Sequence, residues 1–211
     1  MRKKSAFNQF LLLGAFLLGS FIAFSVLSCP TALAASGKSP VETLISLFSK
    51  SATDKVTLEQ AAQYIDYQYM AAQSLGLANW DKLTNHQQSA YVSALQAVIE
   101  KRYYPRWHRI FSKSKVAYGI ESAVGSGNNS ESHINTDLTV GKSHENIDWT
   151  VRHIGAQAKV VNLSVNGKDI LVRLGQRFQK KYAQGGFDKF IAWLQGLGKS
   201  ESTAKGDMGT D

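Results

Sequence analysis

Proton transfer and metal binding fall first to histidine, and this chain has five: His86, His108, His133, His144 and His153. None of them stands at ligand spacing from another, and neither Gly-x-Ser-x-Gly nor His-Glu-x-x-His occurs. His153 alone shares its parity with an apolar alternation, Ile147, Trp149 and Val151, and so is placed to point inward, although a single His at a strand end usually serves structure. An acid–base site would need an inward carboxylate beside it. Glu121, Asp137 and Asp148 fall on the opposite, polar parity, so the enzyme reading lacks a base, no enzyme is expected, and no cofactor or metal is called for.

The elements that carry these residues are four successive segments between residues 114 and 166. Val116, Tyr118 and Ile120 set the parity of the first. Ile134, Leu138 and Val140 set the second, Ile147, Trp149 and Val151 the third, and Val161, Leu163 and Val165 the fourth. Side chains of a strand alternate between faces, so each segment reads as a strand with one apolar side. Turns at Gly125 to Asn129 and Gly141 to Ser143, with Gly155 before the fourth segment, predict an antiparallel meander covered on one side only.

Helices must supply the cover. Val41, Leu44, Ile45 and Phe48 lie on one helical face, and Thr57 with Gln60 reads as a capping box for a second helix carrying Leu58, Ala61, Ala62 and Ile65. Asp66 is a cap for a third, Tyr67 to Leu75, stopped by Gly76; Trp80 and Leu83 make a packed corner. Thr84 and Gln87 open the longest helix, with Tyr91, Leu95, Val98, Ile99 and Tyr103 in one stripe, and Pro105 should kink or end it. After the strands, Asp169 caps a helix with Ile170, Leu171, Leu174 and Phe178 on one face. Gly185-Gly186 ends it, and Phe187, Phe190, Ile191 and Leu194 mark another.

Composition agrees with one domain: 211 residues, 44% hydrophobic and 19% charged. Arg2, Lys3 and Lys4 precede 18 uncharged residues, Phe10 to Leu27, and then Ala32-Leu33-Ala34, the pattern of a secretory signal peptide over residues 1–34. A retained anchor, or lipidation of Cys29 after Val26-Leu27-Ser28, are the other readings of that segment. Cys29 is the sole cysteine, so cleavage leaves no thiol for disulfides, metal or catalysis. Residues 35–40 read as a linker, 41–195 as the folded domain, and 196–211 as a disordered tail.

Cleavage also removes three basic residues and leaves 21 Lys and Arg against 16 Asp and Glu. For an exported protein that balance points to anionic membrane surfaces and away from nucleic acid. Lys101, Arg102, Arg106, Arg109, Lys113 and Lys115 gather near one helix end, and Arg173, Arg177, Lys180 and Lys181 on another. Cations near helix C-termini are favoured by the macrodipole, and the alternative is a headgroup or docking patch.

The predicted architecture is therefore an α+β domain: a helical N-terminal part, a four-stranded antiparallel one-faced sheet and two C-terminal helices. Such a layer pair encloses either a solid core or a pocket.

From Ile65 to Phe111 the chain resembles a known family. Ile65, Asp66, Tyr67, Met70, Ala71, Leu75 and Gly76 are followed by Trp80, Leu83, Thr84 and Gln87 and by a helix ending near Tyr103 and Tyr104. This is similar to MlaC, the toluene-tolerance auxiliary family of ABC lipid transport systems, and to its hopanoid-associated relative HpnM. The resemblance extends roughly from Val41 to Leu194 and rests on ordered combination more than on any one motif. Departures from the family pattern fall at Ala158, Asn162, Lys168, Asp169 and Gly175 to Arg177, and they favour a divergent branch such as HpnM.

The resemblance implies an NTF2-like fold whose apolar cavity holds the acyl chains of a phospholipid, or a hopanoid, and a monomeric periplasmic carrier that passes lipid between membrane-associated transporter components. The lining implied by parity is Val116, Tyr118, Ile120, Ile134, Leu138, Val140, Trp149, Val151, Leu163 and Val165, faced by Tyr103, Trp107 and Phe111 from the helices. Plain core packing would produce the same stripes. Arg102, Arg106 and Arg109 are the candidates for headgroup or docking contacts. A solid-cored periplasmic interaction protein and an NTF2-like enzyme on an apolar substrate are the alternatives.

Overall fold

The structure is a computed structural model that describes residues 36–126 and 130–199. The proposed signal peptide, its cysteine, the tail from residue 200 and part of the Gly125 to Asn129 turn lie outside the described residues.

Helices lead the chain: α1 (Lys38–Lys50), α2 (Lys55–Gln63), α3 (Tyr67–Leu75), the single turn α4 (Leu77–Trp80), α5 (Asn85–Arg102) and α6 (Tyr104–Phe111). Strands β1 (Lys115–Tyr118), β2 (Ser122–Val124), β3 (Glu131–Val140), β4 (Ser143–Ile154), β5 (Gln157–Val165) and β6 (Lys168–Asp169) follow, and α7 (Ile170–Lys199) closes the chain. Helix α1 takes up the last three residues of the proposed linker, and α7 runs four residues into the proposed tail.

Local chemistry explains most boundaries. Thr84 and Gln87 form the reciprocal capping box of α5, and Asp66 caps α3 through the Tyr69 amide at 2.9 Å. Helix α2 is capped by Asp54, whose Oδ1 accepts from the Thr57 amide at 2.8 Å; the Thr57 and Gln60 box expected there does not form, because the helix starts earlier than Thr57. Pro105 lacks the amide that would continue α5, and so it sits in the first turn of α6. Inside α7, Gly186 has φ 67° and ψ −171°, a break that separates two helical runs as the Gly pair predicts.

All strand pairings are antiparallel, in the order β1-β3-β4-β5-β6, with β2 also on β3. Beyond the four expected strands, β2 and β6 add short pairings of three and two residues. Two irregularities change what the parity predicts. Tyr118 pairs with Thr136 and Ser122 with His133, so three residues oppose two. This bulge turns Ile120 out of the apolar row and leaves it 93% exposed. The second is between Thr150 and Val151, where Val151 pairs with Val160 and Val161 is left over. Below that bulge the inward residue is Val160, in place of the expected Val161.

Helices α1 and α6 cover the apolar face, where Phe111 stacks on Trp149 with ring centroids 6.2 Å apart. The chain before α3 instead joins the sheet edge: Asp66 donates to the Val160 carbonyl and Val160 to the Tyr64 carbonyl, at 3.0 and 2.8 Å. From that edge α3 reaches the polar parity, through Tyr69 to Glu131 at 3.0 Å and Asp66 to Arg152 at 3.6 Å. The sheet is thus open on its polar side over the Asn135, Asp137, Asn146 and Asp148 ladder and covered at one corner.

Candidate functional site

Between sheet and helices lies an apolar pocket. Trp149, Val160, Asn162 and Leu163 form its sheet wall, and Leu44, Ile65, Met70, Ile99, Tyr103, Trp107, Ile170 and Leu174 its helical wall. Asn162 is the sole amide side chain among them, and it is occupied at both ends. Its Nδ2 donates to Asp169 at 2.8 Å, and its Oδ1 accepts from the Leu171 amide at 3.1 Å. Among the described residues no carboxylate, histidine or cationic side chain lines the pocket.

The wall is held by polar contacts placed behind it. The indole of Trp149 donates to Thr136 at 2.9 Å, and Thr136 donates to the Ile147 carbonyl at 3.3 Å. Phe48 packs on Tyr104 and Trp107 at 4.4 and 5.2 Å, and the phenols of Tyr67 and Tyr104 share a hydrogen bond beneath. Burial pushes both phenols far above the ordinary tyrosine range, so they stay neutral hydroxyls.

As it stands the pocket is narrow, with an internal volume of about 30 Å³. That is the room of roughly one or two waters. Sites that take a drug-sized ligand run to about 300–1,000 Å³. A ligand of that size would fit only if the walls parted.

Of the residues proposed as lining, Tyr103, Trp107, Trp149 and Leu163 meet here. Phe111, Ile134, Leu138 and Val151 are buried in the adjoining packed core, and Val116, Tyr118 and Val165 are half-buried against it. Two assignments are corrected. Ile120 is turned to solvent by the bulge, and Val140, 36% exposed, sits at the β3–β4 hairpin end beyond the reach of the helices. Leu44, Ile65, Ile99, Ile170 and Leu174 were legible as helical stripes but not as pocket wall, and Val160 was hidden by the second bulge.

A second cavity, of about 180 Å³, adjoins the first and shares Tyr103, Ile170 and Leu174 with it. Arg102, Arg173 and Arg177 stand in its wall with Val98, Phe178 and Leu197. Arg106 and Arg109, proposed with Arg102 for a headgroup, line neither cavity.

His153 does continue the inward parity of β4. Its Nε2 lies 2.9 Å from the buried Ser132 hydroxyl and 3.8 Å from Glu121 Oε1. A relay of the serine-hydrolase kind needs the hydroxyl and the carboxylate on opposite ring nitrogens. Here both face the same one, and Glu121 is taken up by Ser36 Oγ and the Gly37 amide, each at 2.9 Å. The cluster fastens the start of the described chain to the sheet. Among the described residues no group of His, Cys, Asp and Glu could hold a metal ion.

A phospholipid-binding protein from Ralstonia solanacearum, solved in complex with a phospholipid, has a similar fold, with a TM-score of 0.64. The likeness covers 76% of this chain and 93% of that one at 13% identity, so it is a likeness of fold. No curated protein matches the sequence. The MlaC protein family matches over residues 48–196, which takes in every described pocket residue except Leu44. With fold order, apolar pocket and family match in agreement, this chain belongs to the MlaC family.

Proposed function

We propose that the protein is a periplasmic lipid carrier that holds the acyl chains of a phospholipid in the pocket between sheet and helices. It takes lipid from one membrane-associated transport component and hands it to another. The observation that carries this reading is a pocket whose described lining is apolar and aromatic apart from Asn162, with no carboxylate, histidine or cation in it. The fold likeness to a phospholipid-binding protein supports it.

Binding here needs no catalytic group. At about 0.8 kcal/mol per buried methylene, a chain of about 16 carbons gains roughly 12 kcal/mol before the costs of association and of opening the pocket. A lipid so held leaves only for an equally apolar acceptor, which makes handover to ABC transporter components part of the function. A hopanoid is the second apolar cargo that the same pocket would accept. On this reading the segment over residues 1–34 directs export, and the folded domain works as a monomer.

The test is mass spectrometry of organic extracts from protein purified without detergent from its own periplasm. Stoichiometric phospholipid is expected. An extract that stays empty after incubation with lipid vesicles would overturn the carrier reading in favour of a solid-cored interaction protein.

A further inference from the structure

We infer that the basic side formed by the end of α5 and by α7 docks the protein on the surface of an anionic bilayer. The inference rests on the carrier reading and adds to it the face by which the protein meets the membrane. Docking of this kind is long-range and needs no particular headgroup and no charged site inside the pocket.

Segregation of charge is the first support. No Asp or Glu occurs between Glu100 and Glu121 or between Asp169 and Asp188, and these two stretches carry six and four Lys and Arg. The remaining described residues have 10 Lys and Arg against 13 Asp and Glu. The positive charge of the described residues therefore comes from two stretches alone, and the rest is slightly acidic. A molecule divided in this way is oriented by a negative surface before it touches it.

The fold brings the two stretches together. Arg102 shares one cavity wall with Arg173 and Arg177, and Leu197 from the second run of α7 stands in the same wall. Along that run the Trp193 ring lies under Arg177 and Lys181, at 5.5 and 5.7 Å from its centroid. Lys101 and Lys180 extend the row, and both are exposed, as are Arg177 and Lys181. The Leu197 carbonyl accepts from Arg102 Nε at 3.3 Å. Neutral partners such as a carbonyl or an indole hold a cation in place without cancelling its charge. Two carboxylates bound the row. Asp169 is engaged by the Val172 amide and by Asn162, each at 2.8 Å, and Glu100 by Gln96 at 2.7 Å. Counted against Lys101, Arg102, Arg173, Arg177, Lys180 and Lys181, they leave this side clearly positive.

The choice of a bilayer follows from what lies beside the cations. Tyr103 and Leu174, next in sequence to Arg102 and Arg173, also line the apolar pocket, so the basic side borders the place where acyl chains are held. Lipid passing between a leaflet and the pocket crosses the least water when this side rests on the leaflet. The half-buried Trp193, with an Arg and a Lys stem laid over it, is the pairing suited to a membrane interface, the ring at headgroup depth and the cations toward the phosphates. Val172, beside Arg173, is 56% exposed and adds an apolar contact. An acidic protein surface would match the charge alone.

The experiment floats the protein with vesicles of phosphatidylcholine alone and of phosphatidylcholine mixed with phosphatidylglycerol. Wild type should bind the anionic vesicles at least about tenfold better, and about 1 M salt should abolish the difference. K101E/K181E, checked for folding by circular dichroism, should bind them at least about tenfold more weakly, since each cation near such a surface contributes roughly fivefold. K82E/K142E makes the same change of net charge at two exposed lysines outside the row and should keep most of the binding. Equal binding of wild type to both vesicles, undiminished binding by folded K101E/K181E, or equal losses in the two variants would overturn the docking surface and leave the carrier reading intact. Organic extracts of the same preparations read the carrier separately: a wild type that floats with anionic vesicles but never loads lipid would overturn the carrier reading while the docking surface stands. Wild type that ignores anionic vesicles yet binds polyglutamate through Lys101 and Lys181 would overturn the bilayer as partner and give the surface to an acidic protein.

Discussion

The indole Nε1 of Trp149 donates to Thr136 Oγ1 at 2.9 Å, across the pair of strands that forms the back of the apolar pocket. Both residues are fully buried. The bond holds a large aromatic face toward the pocket and at the same time satisfies the only donor of the indole.

Replacing Thr136 with Val should cost about 1–3 kcal/mol, because it leaves the buried indole N–H without an acceptor. T136V/W149F removes both polar groups and should lose less than the sum of the two single losses. Denaturant unfolding of the three variants and wild type, read as a double-mutant cycle, checks the sign of the coupling.

Leu163 and Ile120 were indistinguishable as sheet-parity residues, yet one lines the pocket and the other is 93% exposed. L163R should abolish lipid loading, since it sets a charge in an apolar wall. I120R should leave loading intact and stability within about 0.5 kcal/mol. Loading that survives in folded L163R would remove Leu163 from the lining.

Stability in acid should depend on Glu121. Burial raises its pKa, but hydrogen bonds from Ser132, Ser36 and the amides of Gly37 and Lys38 outweigh burial and hold it below the usual glutamate value. A carboxylate depressed in the folded state stabilises at pH above its unfolded pKa, and the benefit is lost as pH falls through the folded pKa. Melting temperatures of wild type and E121Q should therefore differ at neutral pH and converge in acid. A gap that widens on acidification would contradict this sign.

Gly186 divides α7 at φ 67° and ψ −171°, a conformation open almost solely to glycine. A Cβ there would meet no other atom within 4 Å, so the cost of G186A is one of backbone alone. It should lower stability by about 1–3 kcal/mol, measured by chemical denaturation.

Asp66 caps α3, and its carboxylate also lies 3.6 Å from Arg152, whose guanidinium covers the Tyr69 ring at 4.7 Å. D66A should cost about 1–2 kcal/mol, the upper part of the range for a lost cap. D66N keeps an acceptor for the Tyr69 amide and should recover most of it in the same thermal unfolding assay.

Much of this protein is legible in its sequence because it is written by local rules. Alternation over four segments determines antiparallel strands, the Thr84 and Gln87 pair starts α5, Pro105 ends it, and the Gly pair breaks α7, each through the conformational limits of one or a few residues. Family membership was visible in the same order of elements. What the tertiary structure alone decided is which apolar residues face empty space. Two bulges, each created by a one-residue mismatch between paired strands, moved Ile120 out and exchanged Val161 for Val160. Alternation cannot foresee such a mismatch, because it depends on how two strands pair rather than on either strand alone. The arginine cavity arose in the same way. Arg102 and Arg173 are separated by the whole sheet in sequence and meet only because α5 and α7 pack side by side.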